Sequence, residues 1–155
     1  MLAIRLKGEF ATPWPIQNAL ETLRLERKFN AVLLEDTPAN IGMLRTVKDY
    51  ITWGHATKAD ITALLRERGE FSAGVAVTDK TIQEKFNEPS IQDLASALTQ
   101  GKVKLPMLWQ KGLSPVFRLR PPSGGFEGST KRPYGSGGEL GKRQVALSNL
   151  LNRMV

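Results

Sequence analysis

The sequence predicts an α+β protein. A β-α-β-α-β core comes first, then a helical insertion, then a basic C-terminal extension. Three observations carry this reading. Short apolar or alternating runs in the first 54 residues are separated by stretches with helical spacing. Three helix-capping patterns follow in series before Gly101. Beyond Gly101, glycine and basic residues accumulate while acids almost vanish. The predicted boundaries are residues 1–55, 56–101 and 102–155.

Leu2, Ile4 and Leu6 alternate with Arg5 and Lys7, the pattern of a half-buried strand. Gly8 and Pro13-Trp14-Pro15 break it. Ile16, Ala19, Leu20 and Leu23 then recur at helical spacing, which predicts a helix from about Pro15 to Glu26. Pro15 suits its first turn because it has no N–H to leave unpaired. Ala31-Val32-Leu33-Leu34 reads as a second strand. Asp36 or Thr37 caps the next helix, with Pro38 opening it and Ile41, Leu44 and Val47 forming its apolar stripe to about Lys48. Tyr50-Ile51-Thr52-Trp53 is aromatic and β-branched, so it predicts a third strand. Short connections place both helices on one face of this small sheet.

Thr57-Lys58-Ala59-Asp60 resembles a capping box, followed by Ile61, Leu64 and Leu65 and a stop at Gly69. Thr78 caps a helix carrying Ile82 and Phe86. Ser90 opens another, with Ile91, Leu94, Ala95 and Leu98 turned inward. Val116 to Arg120 alternates like a strand and ends at Pro121-Pro122. Residues 123–141 are Gly/Ser-rich. A last amphipathic helix is predicted from Lys142, with Leu147, Leu150, Leu151 and Met154 on one face.

A chain of 155 residues buries roughly 70% of its unfolded surface and needs no staples. The absence of cysteine removes disulfides, thiolate metal sites and cysteine nucleophiles. A single histidine, His55, makes a His-rich metal site or a Ser-His-Asp triad hard to build. No window approaches the roughly 18 apolar residues of a membrane span, and the first residues lack a signal-peptide pattern. A soluble intracellular protein is expected, with no cofactor, no membrane contact and no small-molecule substrate.

The net charge of +7 divides unevenly. Residues 1–97 sum to −1 and residues 98–155 to +8. Such asymmetry points to a polyanion: nucleic acid, an anionic membrane surface or an acidic protein. Gly135 to Arg143 looks at first like a phosphate loop. That pattern needs glycine where Ser136 stands and Ser or Thr where Arg143 stands. What survives is glycine-rich backbone leading into a helix start beside Lys142 and Arg143, which suits nucleic-acid phosphates. Phe126, Lys131, Arg132 and Tyr134 add basic and aromatic side chains on a Gly-rich segment, a combination suited to RNA phosphates and unpaired bases. Arg45 and Lys48 share a face of the second helix. His55 receives no role, because a lone histidine is more often a surface or hydrogen-bonded residue than a ligand. Glu35-Asp36 reads as a turn and helix entry, and Trp14, Trp53 and Trp109 as packing residues.

The ordered runs Leu23 to Leu33, Asp36-Thr37-Pro38, Gly42-Met43-Leu44 and Val47 to Gly54 resemble the large-subunit ribosomal protein L-thirty family. Its eukaryotic counterpart is called L-seven. Pro115 to Pro122, Gly124-Gly125-Phe126, Lys131 to Tyr134, Gly137-Gly138 and Gly141 resemble its archaeal and eukaryotic branch. The missing basic N-terminal extension favours the archaeal form. The resemblance implies a three-stranded antiparallel sheet with two helices on one side, a ferredoxin-like arrangement. It also implies a structural, non-enzymatic protein of the cytoplasmic large subunit, bound to large-subunit rRNA near 5S rRNA and beside other ribosomal proteins. Arg45 and Lys48 would touch rRNA, as would Arg118, Arg120, Phe126, Lys131, Arg132, Tyr134, Lys142 and Arg143. The tail is expected to be loosely held until RNA orders it. Three alternatives remain: a free RNA-binding or RNA-chaperone module, a nucleotide-dependent enzyme on the Gly135–Arg143 loop, and a protein-binding adaptor using the helical insertion.

Overall fold

The centre of the molecule is its first strand, flanked on both sides by antiparallel partners. A computed structural model describes residues 1–72, 74–143 and 146–155. In chain order the elements are β1 (Leu2–Arg5), α1 (Trp14–Thr22), β2 (Asn30–Leu33), α2 (Pro38–Thr46) and β3 (Ile51–Gly54). Then come α3 (Lys58–Arg68), β4 (Glu70–Phe71), β5 (Val75–Ala76), α4 (Asp79–Phe86), α5 (Ile91–Thr99) and α6 (Leu105–Gln110). The chain closes with β6 (Val116–Arg118), β7 (Ser129–Pro133), β8 (Gly138–Lys142) and α7 (Ala146–Met154).

The predicted α+β core is present. Ala3 of β1 stands opposite Val32 of β2 and Trp53 of β3, both antiparallel. The sheet is wider than expected, with order β6-β2-β1-β3-β8-β7. β6 adds antiparallel to β2, β8 adds parallel to β3, and β7 adds parallel to β8. The C-terminal residues therefore extend both edges of the first sheet. In this structure those residues are tied down by backbone pairing with β2 and β3 and by Leu119, Leu140, Leu147 and Leu151 in the core.

Two apolar layers follow from this width. Ala3, Val32, Ile51 and Trp53 face Leu20, Leu23 and Leu25 at and beyond the end of α1, and Leu44 of α2. Leu2, Ile4 and Leu6 face the other way, against Leu64 and Leu65 of α3, Leu94 of α5, and Leu147 and Leu151 of α7. β1 is thus covered on both faces, not half-buried. Arg5 is 1% exposed. It donates from Nε to the Lys7 carbonyl at 2.8 Å and from Nη1 to the Leu25 and Glu26 carbonyls at 2.8 and 2.6 Å. Burial lowers its pKa, opposed by Glu9 and Tyr50.

Helix ends are set by local chemistry. α1 stops at Thr22, short of the expected Glu26, because Arg24 takes a left-handed φ of 60°. That turn sends Leu23 and Leu25 into the core and Arg24 outward. Thr37 caps α2 by accepting from the Asn40 N–H at 3.2 Å. The Thr57 capping box is present as expected. Buried Asp60 accepts from the Thr57 N–H and from Ser148 Oγ of α7, each at 2.8 Å. Replacing Thr57 with Ala is expected to lower unfolding stability by about 1 kcal/mol in urea titration, the usual cost of a lost N-cap.

Candidate nucleic-acid interface

β8 organises the basic residues, and a buried ion pair holds β8. Arg143 is 5% exposed and Glu139 4% exposed. The Arg143 guanidinium pairs with the Glu139 carboxylate and donates from Nε to Thr52 Oγ1 of β3 at 2.9 Å. Thr52 Oγ1 donates to the Gly141 carbonyl at 3.1 Å. The Arg143 N–H donates to the Trp53 carbonyl at 2.7 Å. Glu139 also accepts from the Gly128 N–H at 2.6 Å, which ties down the approach to β7. Gly54 permits this closeness, because a Cβ there would strike the Arg143 carbonyl. Arg143 was expected to face RNA. Its side chain is instead committed inside the protein, and it positions the strand whose last residue is Lys142.

Lys142 is exposed and belongs to β8, not to a helix start. Leu140 enters the core beside α3 and α7, whereas Lys142 lines a surface hollow with Arg45. Two residues of equal parity on one strand should share a face. Gly141 lies between them with φ of 88°, a left-handed value that breaks the alternation. The last helix was expected to begin at Lys142; among the described residues Lys142 closes β8 and α7 covers Ala146–Met154, and Gln144 and Val145 lie outside the described residues.

The hollow has a volume of about 190 Å³ and is lined by Arg45, Lys142, Asp36, His55, Trp53 and others. Arg45, in the last turn of α2, and Lys142 lie far apart in sequence and are brought together only by the β3–β8 pairing. Lys48 is exposed just beyond α2. Met1 also borders the hollow. Burial lowers the pKa of its amine, and Asp36 opposes that shift.

Lys131 and Arg132 are exposed on β7, the sheet's outer strand. Tyr134 is 45% exposed. One side of its ring meets the Arg143 guanidinium, 4.7 Å from the centroid. Phe126 is half-buried and stacks on Phe29 at a centroid distance of 6.4 Å, so it anchors its loop to the body. Arg153 of α7 secures the same loop through the Ser123 and Gly125 carbonyls and Glu127.

Arg118 and Arg120 are exposed at the other end of the sheet, on and just beyond β6. Five strand spacings separate β6 from β7, which is about 24 Å at about 4.8 Å each. The candidate cations thus form two groups. Sequence reading missed Arg66 and Arg68, which line a second hollow with Arg118, of about 150 Å³. Their spacing beside Gly69 resembles an ordinary helix end, and only β6 folding back beside them reveals the group. Among the described residues, no three His, Cys, Asp or Glu side chains gather as a metal site.

Comparison with known proteins agrees with this architecture. The model of the family described as "Ribosomal protein L30p/L7e" matches residues 1–51. "Large ribosomal subunit protein uL30" of Hyperthermus butylicus is 42% identical over 159 residues, covering 98% of this chain and 88% of the relative. The protein of the same name from Desulfurococcus amylolyticus is 40% identical, covering 98% and 96%. That from Methanopyrus kandleri is 38% identical, covering 97% and 100%. The family model stops at the start of β3, while the alignments to these relatives cover 97–98% of the chain.

Proposed function

The chain belongs to the ribosomal protein L30p/L7e family, and on that premise we propose that it is a structural constituent of the large ribosomal subunit that binds large-subunit rRNA near 5S rRNA. It does so by neutralising phosphates and fitting the shape of the folded RNA, without catalysis. The observation that carries this reading is the pairing of exposed Arg45 and Lys142 in one hollow, with Lys48 exposed just beyond α2 and Lys131 and Arg132 exposed on β7, the strand next to β8. Of the acids close to these cations, Glu139 is turned inward, whereas exposed Asp36 lines the same hollow as Arg45 and Lys142 and exposed Asp49 follows Lys48. Each phosphate met by one of these cations releases counterions, so affinity falls steeply with salt. Residues 1–55 supply the central strands, 56–101 a helical cover for the second face, and 102–155 both sheet edges and most of the charge. Neighbouring ribosomal proteins occupy surface that RNA leaves free.

Co-sedimentation tests this reading. The tagged protein should travel with large subunits through a sucrose gradient in moderate salt and be released by RNase. Free migration at the top of the gradient, with RNA still bound, would instead favour an RNA-binding module outside the ribosome.

A further inference from the structure

The hollow holding Arg45 and Lys142 does not stand alone. A larger one, of about 530 Å³, adjoins it across Met1, Asp36 and His55, which line both. Half-buried Leu34, Ala56, Leu98 and Val103 give the larger hollow an apolar wall, and exposed Glu35, Thr99 and Lys104 line it as well. Its size falls within the range of small-ligand sites. The cleft thus runs from a pair of cations at one end, past an exposed imidazole and the shared Asp36, to an apolar recess bordered by Glu35 and Lys104.

That gradient matches one chemical object closely. A nucleotide has an anionic phosphate, a hydroxyl-bearing ribose and a flat base with an apolar face and amino edges. We propose that the cleft seats a single unstacked nucleotide of the bound RNA, its phosphate at Arg45 and Lys142 and its base against His55 and the apolar recess. This rests on the RNA-binding reading above and names what the protein recognises there. Imidazole rings stack on splayed bases, and base edges and ribose hydroxyls donate to carboxylates such as Asp36 and Glu35. The apolar wall of the recess at one end, against the paired cations Arg45 and Lys142 at the other, fixes the nucleotide's direction. A base-paired stretch presents no free base to such a recess, so the site selects a bulge or loop. His55, the single histidine, gains a role that its sequence position alone does not suggest.

Nuclear magnetic resonance on the isotopically labelled full chain tests this. Adenosine 5′-monophosphate should shift signals at both ends of the cleft, at Arg45 and Lys142 and at Ala56, Leu98 and Val103. Inorganic phosphate should shift the cationic end alone. His55→Ala, at an exposed position, should weaken the nucleotide by about fivefold and leave phosphate unchanged. The proposal is overturned if the nucleotide shifts nothing beyond what phosphate shifts. It is also overturned if a short Lys/Leu peptide occupies the recess while the nucleotide does not. A single-stranded RNA oligomer added to the same sample separates the two readings. Binding that shifts Lys131 and Arg132 but not the cleft removes this inference and keeps the RNA-binding reading. Absence of any binding removes both.

Discussion

Replacing Glu139 with Ala is expected to lower unfolding stability by about 3–5 kcal/mol in urea titration, because it strands a buried cation. Arg143 is enclosed by β3, β8 and Tyr134, and Glu139 supplies its counter-charge. The Glu139 carboxylate also receives the Gly128 N–H, so the substitution leaves a second donor unpaired. Replacing both members of the pair, Glu139→Leu with Arg143→Met, should recover most of the loss, since the desolvation penalty of both charges disappears. A single substitution as mild as a surface change, below about 0.5 kcal/mol, would show that the pair is solvated. The consequence extends beyond stability. β8 aligns with β3 at Thr52–Gly141 and Trp53–Lys142, and loss of that register would carry Lys142 away from Arg45.

The second large effect is on RNA. Changing Arg118, Arg120, Lys131 and Arg132 together to Ala should weaken binding to large-subunit rRNA fragments and flatten the salt dependence. Each lost phosphate contact removes about 0.7–0.9 from the slope of log affinity against log salt. The two-edge arrangement adds a finer expectation. The Arg118/Arg120 pair and the Lys131/Arg132 pair sit on opposite sheet edges, too far apart to share one phosphate. Their effects should add if one RNA spans both edges. A slope unchanged in the quadruple variant would remove these residues from the interface.

The first three strands and two helices were legible because local signals agreed. Leu2, Ile4 and Leu6 alternate, Pro38 follows a capping Thr37, and Tyr50 to Trp53 is strongly β-forming. The capped helices α3, α4 and α5 were legible for the same reason, through Thr57, Thr78 and Ser90. β7 and β8 were not. Ser129 to Pro133 is polar, and Gly138 to Lys142 holds two glycines, so neither carries β propensity. They form because β3 offers a free edge and because Gly138 lets its backbone lie against Arg132, where a Cβ would collide. Arg5 and Arg143 escaped for a related reason. Sequence places arginine outside by default, and only a sheet covered on both faces, or a carboxylate brought in by the same strand, turns it inward.

On the proposed function, the cations on β7, at the end of β8 and at the end of α2 meet RNA. The most direct measurement is a residue-resolved protein–RNA crosslinking map of purified large subunits. RNA crosslinks are expected at Lys131, Arg132 and Tyr134 and at Arg45, Lys48 and Lys142, with none at the buried Arg143 side chain. Crosslinks to RNA confined to α4–α6, with these positions crosslinked only to protein, would contradict it.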